Sequence, residues 1–516
     1  MTEIAERHVL PELRPWVWPW LNDYQRDGIG QAVAQGNHHI WWPCGSGKTA
    51  AAITWIVASP APALVVTRAS VRRQWASELR RFTTCKPYVL LPASERRKGW
   101  TGLEAYLAQR ERLHERPIII AGWPSLATDD GLNAEIADFV TWTERQPLGL
   151  SIVWDESHTA KNHKRWKRLP QEDGSFRFER LTSTAAVAGA LAPLATRRLA
   201  LTATPMPDRT RDLWAQLDIV DPGCAGKYWD WAKEYCGAYE DQHGWDDRGS
   251  SDLDTLREWC NSRASIVSTE QVSSKLPPLR RTVTYLSPDV LERPDRSAKA
   301  AIRHAAKVAG GGTGTEDKSA AALLLQARLE AAAAMKGKHV AQTVLDCVAS
   351  GQKVLVFTGR RVDVTKLETR IRKKLPHDVP LWAADGSTPP DERESIREAY
   401  MGHKGAAVIV GTGAAWGESA NLHDTDRLLI VMLPWTWGQL RQWEGRVRRL
   451  GGRNCLIEYL IAEETIDERI ASIVLSKLAA VEAILPDEQV SAVRESLQGG
   501  TDDALLDRIL DRVLDS

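Results

Sequence analysis

The sequence predicts an α/β protein made of two parallel-sheet lobes with a helical insertion between them. Three observations predict it: five short apolar runs at regular intervals before residue 222, a polar and helical stretch after it, and five more such runs from residue 353. At 516 residues the chain also exceeds what one hydrophobic core organises, so a division is expected on size alone.

The first set of runs reads HHIWW (38–42), ALVVT (63–67), PIIIA (117–121), LSIVWD (150–155) and RRLALT (197–202). Runs this short, apolar on both faces and rich in Val and Ile, suit buried parallel strands joined by crossover helices. The rhythm stops at Asp221-Pro222-Gly223 and the chain stays polar and helical to about residue 350, with a Gly-rich loop at 309–314 expected to be flexible. It restarts with KVLVFTG (353–359), VPLWAADG (379–386), AAVIVGTG (406–413), RLLIVML (427–433) and CLIEYLI (455–461). The expected division is therefore 1–222 for the first lobe, 223–350 for the insertion and linker, 351–480 for the second lobe and 481–516 for an amphipathic helical tail ending DDALLDRILDRVLDS.

Composition narrows the class. Hydrophobic residues at 43% and charged residues at 26% fit a soluble globular protein, and Lys+Arg and Asp+Glu are balanced at 67 each. A balanced total neither supports nor excludes nucleic acid, because a binding groove needs only a local basic stripe. The seven cysteines are scattered without a C-x-x-C pair, which argues against a disulfide framework or a zinc site and suits a reducing cytoplasm. MTEIAERHVLPELRPW lacks the apolar centre of a signal peptide, and no run is long enough to span a bilayer, so a soluble cytoplasmic protein is expected. Most of the 22 tryptophans lie in apolar contexts that read as core packing.

The sharpest motif is Pro43-Cys44-Gly45-Ser46-Gly47-Lys48-Thr49, between a strand-like run and the helix-like TAAAITWIVA. Gly45 and Gly47 let the backbone curl so that N–H groups around Ser46 converge on phosphate oxygens at a helix N-terminus. Lys48 supplies a point charge to the β and γ phosphates of ATP, and Thr49 a hydroxyl to Mg2+. Trp42 stands where the full pattern has glycine. A second motif, Asp155-Glu156-Ser157-His158, ends the run LSIVWD. There Asp155 is expected to bind magnesium, Glu156 to orient and deprotonate the attacking water, and His158 to sense the nucleotide or couple to the neighbouring motif. An acidic pair at a strand exit is ordinarily just solvated; with the phosphate loop upstream, catalysis is the better reading.

With these two motifs the chain resembles superfamily 2 helicases, a resemblance that implies two tandem RecA-like lobes. Leu21 to Gly28 looks like the family's glutamine motif, in which Gln25 would read the adenine edge, and Leu199 to Met206 looks like motif III, whose Thr202 and Thr204 would couple ATP to nucleic acid. Gly411-Thr412-Gly413 through Gly417-Glu418 to Asn421 resembles motif V, and Gln442 to Arg449 matches motif VI as Q-x-x-G-R-x-x-R. Gly417, Glu418 and Gln442 would then flank the nucleotide. Arg446 and Arg449, three apart and so able to share a helix face, would meet the developing charge on the γ-phosphate. Within the superfamily the chain looks most like Snf2-type double-stranded DNA translocases. Leu213 to Gly223, Tyr228 to Cys236, Leu276-Pro277-Pro278 with Thr282-Val283, and Asp385 to Thr388 with Arg393 carry that narrower likeness.

Grip on nucleic acid is expected from loops at strand ends: Thr67-Arg68-Ala69-Ser70, Gly122-Trp123-Pro124-Ser125, Thr358-Gly359-Arg360-Arg361 and Thr412, with the basic run 161–168 as a further candidate. Arg68, Ser125, Arg360 and Thr412 would hold phosphates without reading bases, as a moving motor requires. The implied partner is DNA, duplex favoured, with branched or single-stranded DNA and RNA left open. The implied cofactors are ATP and Mg2+. The reading is an ATP-driven duplex DNA translocase. Its rivals are a helicase or annealing motor on forked or branched DNA, toward which PCGSGKT, Gly445 and Arg448 point, and a P-loop regulatory switch.

Overall fold

The computed structural model describes residues 12–92, 101–128, 131–161, 166–170, 176–180, 183–207, 209–241, 244–268, 271–272, 277, 280–294, 299–300, 302–304, 315–416, 421–448, 452–472 and 474. The chain divides into two compact units between Gln271 and Val272.

The first unit is built on seven strands: β1 (Asn37–Trp41), β2 (Ala63–Thr67), β3 (Tyr88–Val89), β4 (Ile118–Gly122), β5 (Ser151–Asp155), β6 (Arg197–Leu201) and β7 (Ala264–Ile266). They form one parallel sheet in the order β7-β1-β6-β5-β2-β4-β3. Five of the strands, β1, β2, β4, β5 and β6, are buried along almost their whole length, as central strands of a covered parallel sheet are. The register aligns their C-terminal ends: Ile40 pairs with Leu201, Leu201 with Asp155, Trp154 with Val66, and Thr67 with Gly122. The loops after five strands therefore share one edge, where open parallel sheets place their sites.

Helices α1 (Asp23–Gln35), α2 (Lys48–Val57), α3 (Arg72–Phe82) and α4 (Asp212–Val220) flank this sheet. A capping box starts α1, the Asn22 side chain and Gln25 closing on each other's backbone. The Ala-rich α2 is buried from Ala50 to Val57, small side chains allowing close approach to the sheet. Trp42 is fully buried and donates its indole N–H to Ser265 Oγ at 3.0 Å. A Cβ on Gly28 would lie 2.4 Å from the Trp42 ring, so Gly28 is the space into which that indole fits. The residue that departs from the phosphate-loop pattern thus locks α1 and β7 onto β1.

The second unit has β8 (Arg280–Leu286), β9 (Lys353–Thr358), β10 (Leu381–Ala384), β11 (Ala407–Thr412), β12 (Arg427–Ile430) and β13 (Leu456–Ala462), parallel in the order β8-β13-β12-β9-β11-β10. Two lysines lie wholly inside it. Lys336 Nζ reaches Asp467 Oδ2 at 2.5 Å and Leu460 O at 2.8 Å; Lys353 Nζ reaches Asp424 Oδ2 at 2.5 Å and Tyr400 O at 2.8 Å. Each buried ammonium is offset by a carboxylate and a carbonyl, which compensates the cost of taking such a charge out of water.

The two sheets and the helices between them agree with the fold class expected. The stretch 223–350 is helical at Tyr228–Cys236, Leu253–Asn261, Thr315–Met335 and Gly337–Ala349, yet it also supplies β7, β8 and a hairpin of Tyr239–Asp241 with Gly244–Asp246. With β3 these strands went unread because β3, β7 and β8 are sheet edges, short or half-buried and polar, without the double-faced apolar signal of central strands. The Gly-rich loop at 309–314 and the tail 481–516 lie outside the described residues. Among those described, no helix is long and apolar enough to cross a membrane.

One pH dependence follows from β1. His38 and His39 are buried, and burial holds their imidazoles at about 4 and about 3, below the ordinary value of 6.5. The folded state keeps them neutral, so this stability is present above pH 6.5 and is lost as pH falls toward those values. Between pH 6.5 and 5 His39 alone should cost about 2 kcal/mol. Urea unfolding at the two pH values should show this loss reduced by about that amount in His39→Gln.

Candidate functional site

The phosphate loop leaves β1 and enters α2 with Gly45 at φ 78° and Gly47 at φ 81°, left-handed conformations that glycine alone adopts freely. A Cβ on Gly47 would also meet the Gln25 amide at 2.3 Å. Gln25, 2% exposed, donates from Nε2 to Ser46 O at 2.8 Å and accepts the Asn22 N–H at 2.7 Å; Tyr24 OH donates to the same Ser46 carbonyl at 2.7 Å. Both ends of the Gln25 amide are engaged by the protein, so here it braces the loop from α1. Lys48 Nζ turns back onto the carbonyls of Trp42 and Pro43, both at 3.0 Å, and Thr49 follows in the first turn of α2. Ser46 Oγ is buried without a hydrogen-bonding partner among the described residues. Curled backbone, an ammonium resting on carbonyls and an orphan hydroxyl fit an anionic phosphate group.

Asp155 ends β5 on the same edge. Its Oδ2 accepts from Thr67 Oγ1 at 2.7 Å and from the Trp75 indole N–H at 2.8 Å, and its carbonyl from the Trp123 indole N–H at 2.7 Å. Burial, with the adjacent Glu156 charge, nonetheless pushes its carboxyl up to about 6, while Lys48 and the two side-chain bonds pull it down. The Asp155 carboxylate beside the phosphate loop is the oxygen donor here that suits a hard divalent cation. Trp75 and Trp123 went unread as site residues. Sequence shows an indole as apolar bulk, and only the fold shows where its N–H points. Thr67, expected to face nucleic acid, is fully buried and turned to Asp155 instead.

Glu156 sits at φ 54°, a left-handed conformation costly for a side chain with a Cβ. It aims Oε2 at His158 Nδ1, 3.3 Å away. His158 Nδ1 also lies 3.0 Å from Thr202 Oγ1 and 3.5 Å from Thr204 Oγ1, and its Nε2 lies 3.3 Å from Arg68 Nη2. Burial holds this imidazole at about 4, so it is neutral near pH 7. A guanidinium can only donate, so Nε2 accepts and Nδ1 carries the proton, directed to Thr202. Thr202 Oγ1 in turn accepts the Thr204 N–H at 3.0 Å. Lys48, Asp155, Glu156, His158, Thr202, Thr204 and Arg68 thus share one electrostatic neighbourhood, the Lys48 charge acting on both Asp155 and His158. Ser125 lies one turn away, after β4, where Gly122 packs so closely that a Cβ would sit 3.3 Å from Ala69 Cα and 3.5 Å from Ser125 Oγ. In the basic run, Lys161 pairs with Asp212 at 3.8 Å, residues 162–165 lie outside those described, and Trp166–Pro170 forms a hairpin with Phe176–Arg180.

In the second unit, Gln442 lies near the end of α5 (Trp437–Glu444). This helix stops before Arg446, so the expected helix does not extend to it. Gly445 caps it, and Arg446 N and Val447 N bond instead to Trp443 O and Glu444 O in tighter turns. Arg446 Nε returns to Gln442 O at 3.0 Å. Beneath them Glu444 receives Arg281 through two bonds at 2.9 and 2.6 Å and also accepts from Tyr459 OH, so the end of α5 is tied to β8 and β13. The Glu444 carboxylate raises the buried Arg281 guanidinium above its ordinary value despite burial. Arg360 is held by Asp363 at 2.9 Å through two nitrogens and by Glu330, while the neighbouring Arg361 is 74% exposed. Thr412 Oγ1 accepts the Ala415 N–H at 3.2 Å. Gly417, Glu418 and Arg449 lie outside the described residues.

The comparisons agree with this architecture. A fragment of the chain, residues 336–451, matches the helicase conserved C-terminal domain. The SWI/SNF-related matrix-associated actin-dependent regulator of chromatin subfamily A-like protein 1 of Xenopus tropicalis is 27% identical over 485 residues, covering 92% of this chain and 46% of that protein. The DNA annealing helicase and endonuclease ZRANB3 of Mus musculus is 24% identical, over 94% and 42% respectively. The chain thus spans less than half the length of these relatives. A solved structure of an ATP-dependent Type ISP restriction-modification enzyme bound to DNA, LlaBIII, covers 92% of this chain and 30% of its own at 14% identity and a TM-score of 0.55, a likeness of fold. The SNF2-related domain matches residues 24–336, more than half of the chain, and this protein belongs to that family.

Proposed function

We propose that the chain is an ATP-hydrolysing motor that tracks along duplex DNA. The observation that carries this reading is the cluster in which His158 stands 3.3 Å from Glu156 Oε2, the carboxylate assigned to water activation, and hydrogen-bonds to Thr202, Thr204 and Arg68 of the strand-end loop. Gly45, Ser46, Gly47 and Lys48 would cradle the ATP phosphates. Thr49 and Asp155 would hold Mg2+, which when bound offsets phosphate charge. Thr67 and Trp75 fix the Asp155 carboxylate, and Glu156, held toward His158, serves as the base for water. Arg446 and Arg449 are assigned to the charge that develops on the transferred phosphoryl group. Arg68, on the far nitrogen of His158, fixes the tautomer that points a proton at Thr202, beside Glu156. A phosphate that draws Arg68 away releases that restraint, which is a route from DNA contact to hydrolysis. Ser125 and Arg361 supply further contacts that read no bases, whereas Thr412, expected among them, is buried with its hydroxyl on the Ala415 N–H.

The relatives' names, chromatin regulator and DNA annealing helicase, support DNA as the partner. The second of them favours, as the alternative, action on forked or branched DNA.

Lys48→Ala should lose nucleotide binding and turnover together, whereas Glu156→Gln should bind ATP and hydrolyse it at least ~10²-fold more slowly. Near wild-type turnover in Glu156→Gln would refute the role of that carboxylate. Arg446→Ala should lower kcat by about 10³ at unchanged thermal stability. Arg68→Ala should raise basal ATPase toward the DNA-stimulated rate and lose most of its further stimulation by DNA, since the restraint that DNA would release is already gone.

Duplex DNA should stimulate hydrolysis more than an equal mass of single strand, with affinity falling steeply as salt rises. The motor should displace a third strand from a triplex yet leave a tailed duplex intact. Efficient unwinding of the tailed duplex selects the helicase alternative.

A further inference from the structure

A second aromatic and basic surface lies away from this site. The short helix Val17–Trp20 buries Val17, and Leu21 after it, against the first unit, while Trp16 and Trp20, four residues apart, share the opposite face at 43% and 51% exposure. Both indoles lean on Phe82, each with ring centroids 5.7 Å from it, and lie 6.2 Å from each other. The patch is fastened rather than loose: Arg14 N donates to Phe82 O at 2.8 Å, Thr84 N to Glu12 O at 2.9 Å, and Leu13 bridges Thr83. Its rim is cationic. Arg14, Arg80 and Arg81 are exposed, the Arg81 guanidinium stands 6.0 Å from the Trp16 ring and 5.5 Å from that of Phe82, and Arg14 Nη2 is held by Arg80 O at 3.2 Å.

We propose that Trp16, Trp20, Arg14, Arg80 and Arg81 form a binding site for a segment of single-stranded nucleic acid. Two rigid, half-exposed indoles offer π faces to unstacked bases, and three arginines offer charge to the phosphates between them. An apolar protein partner would leave those guanidinium groups without counter-charge, whereas a polyanion with aromatic bases satisfies both halves of the patch. Duplex DNA, with its bases stacked inside, could use only the arginines. The patch sits at the C-terminal end of α3, whose 11 residues carry it about 16 Å from the Arg68 loop at the other end. It is therefore a separate site, able to hold a displaced or unpaired strand while the strand-end loops hold duplex.

The test uses the full chain without ATP and a fluorescent oligothymidylate of about 15 nucleotides, with oligouridylate as the RNA arm, followed by anisotropy. The double variant Trp16→Ala/Trp20→Ala should weaken single-strand affinity on the order of tenfold or more, while Trp16→Phe/Trp20→Phe retains most of it and duplex affinity changes less than about twofold. Arg80→Glu/Arg81→Glu, both on exposed side chains, should reduce affinity and lower the salt slope by about 1.4. That variant carries the test alone should the alanine pair fail to fold. Lys48→Ala should lose ATP turnover and keep single-strand affinity, which separates failure of this site from failure of the motor reading. Unchanged single-strand affinity in the alanine pair or in the glutamate pair overturns the proposal, as does a change confined to self-association in sedimentation.

Discussion

The Asp155 carboxylate is where the first unit's geometry converges. One oxygen receives the Thr67 hydroxyl from the end of β2 and the Trp75 indole from α3, while the Asp155 carbonyl receives the Trp123 indole from the turn after β4. Three elements are thereby aligned on the end of β5 by directional bonds in a desolvated setting, where such bonds are stronger than in water. Their cost is visible in the carboxyl itself, which burial and Glu156 push upward against those same bonds. A buried acid placed so deliberately beside a second acid and a lysine is the arrangement perturbed groups take at functional sites.

From that anchor the neighbouring residues acquire definite states. Glu156 is held in a left-handed backbone conformation that turns its side chain to His158. His158, neutral through burial, has its tautomer set by Arg68, and Thr202 and Thr204 close the group from β6. The strained Glu156 backbone is paid for by the packing of the surrounding sheet. In the second unit the corresponding brace is ionic. Arg281 and Tyr459 converge on Glu444, so the turn bearing Arg446 is fixed to two strands of its own sheet.

The two sets of tryptophans follow one rule with different outcomes. Trp42, Trp55 and Trp154 are fully buried, and each spends its indole N–H on a partner inside the first unit. Trp16 and Trp20 lie on a surface ringed by arginines, where the same ring chemistry faces solvent. Burial of area explains the former; the partner proposed for the latter offers π faces to the indoles and negative charge to their rim.

The sequence by itself determined the two parallel sheets and the phosphate loop, because central strands are apolar on both faces and the loop needs glycines at fixed spacing before a lysine and a helix. It also located Asp155, Glu156 and His158, since strand end and phosphate loop together leave few places for the acids. Tertiary structure alone decided the edge strands β3, β7 and β8, whose polar, one-sided pairing carries no periodic signal. It ended α5 at Glu444, before Arg446. It turned Thr67 inward, bound Arg360 to Asp363, and made Trp75 and Trp123 donors to Asp155. The direction of a hydrogen bond depends on which elements meet in space, and residue type and spacing along the chain do not encode that meeting.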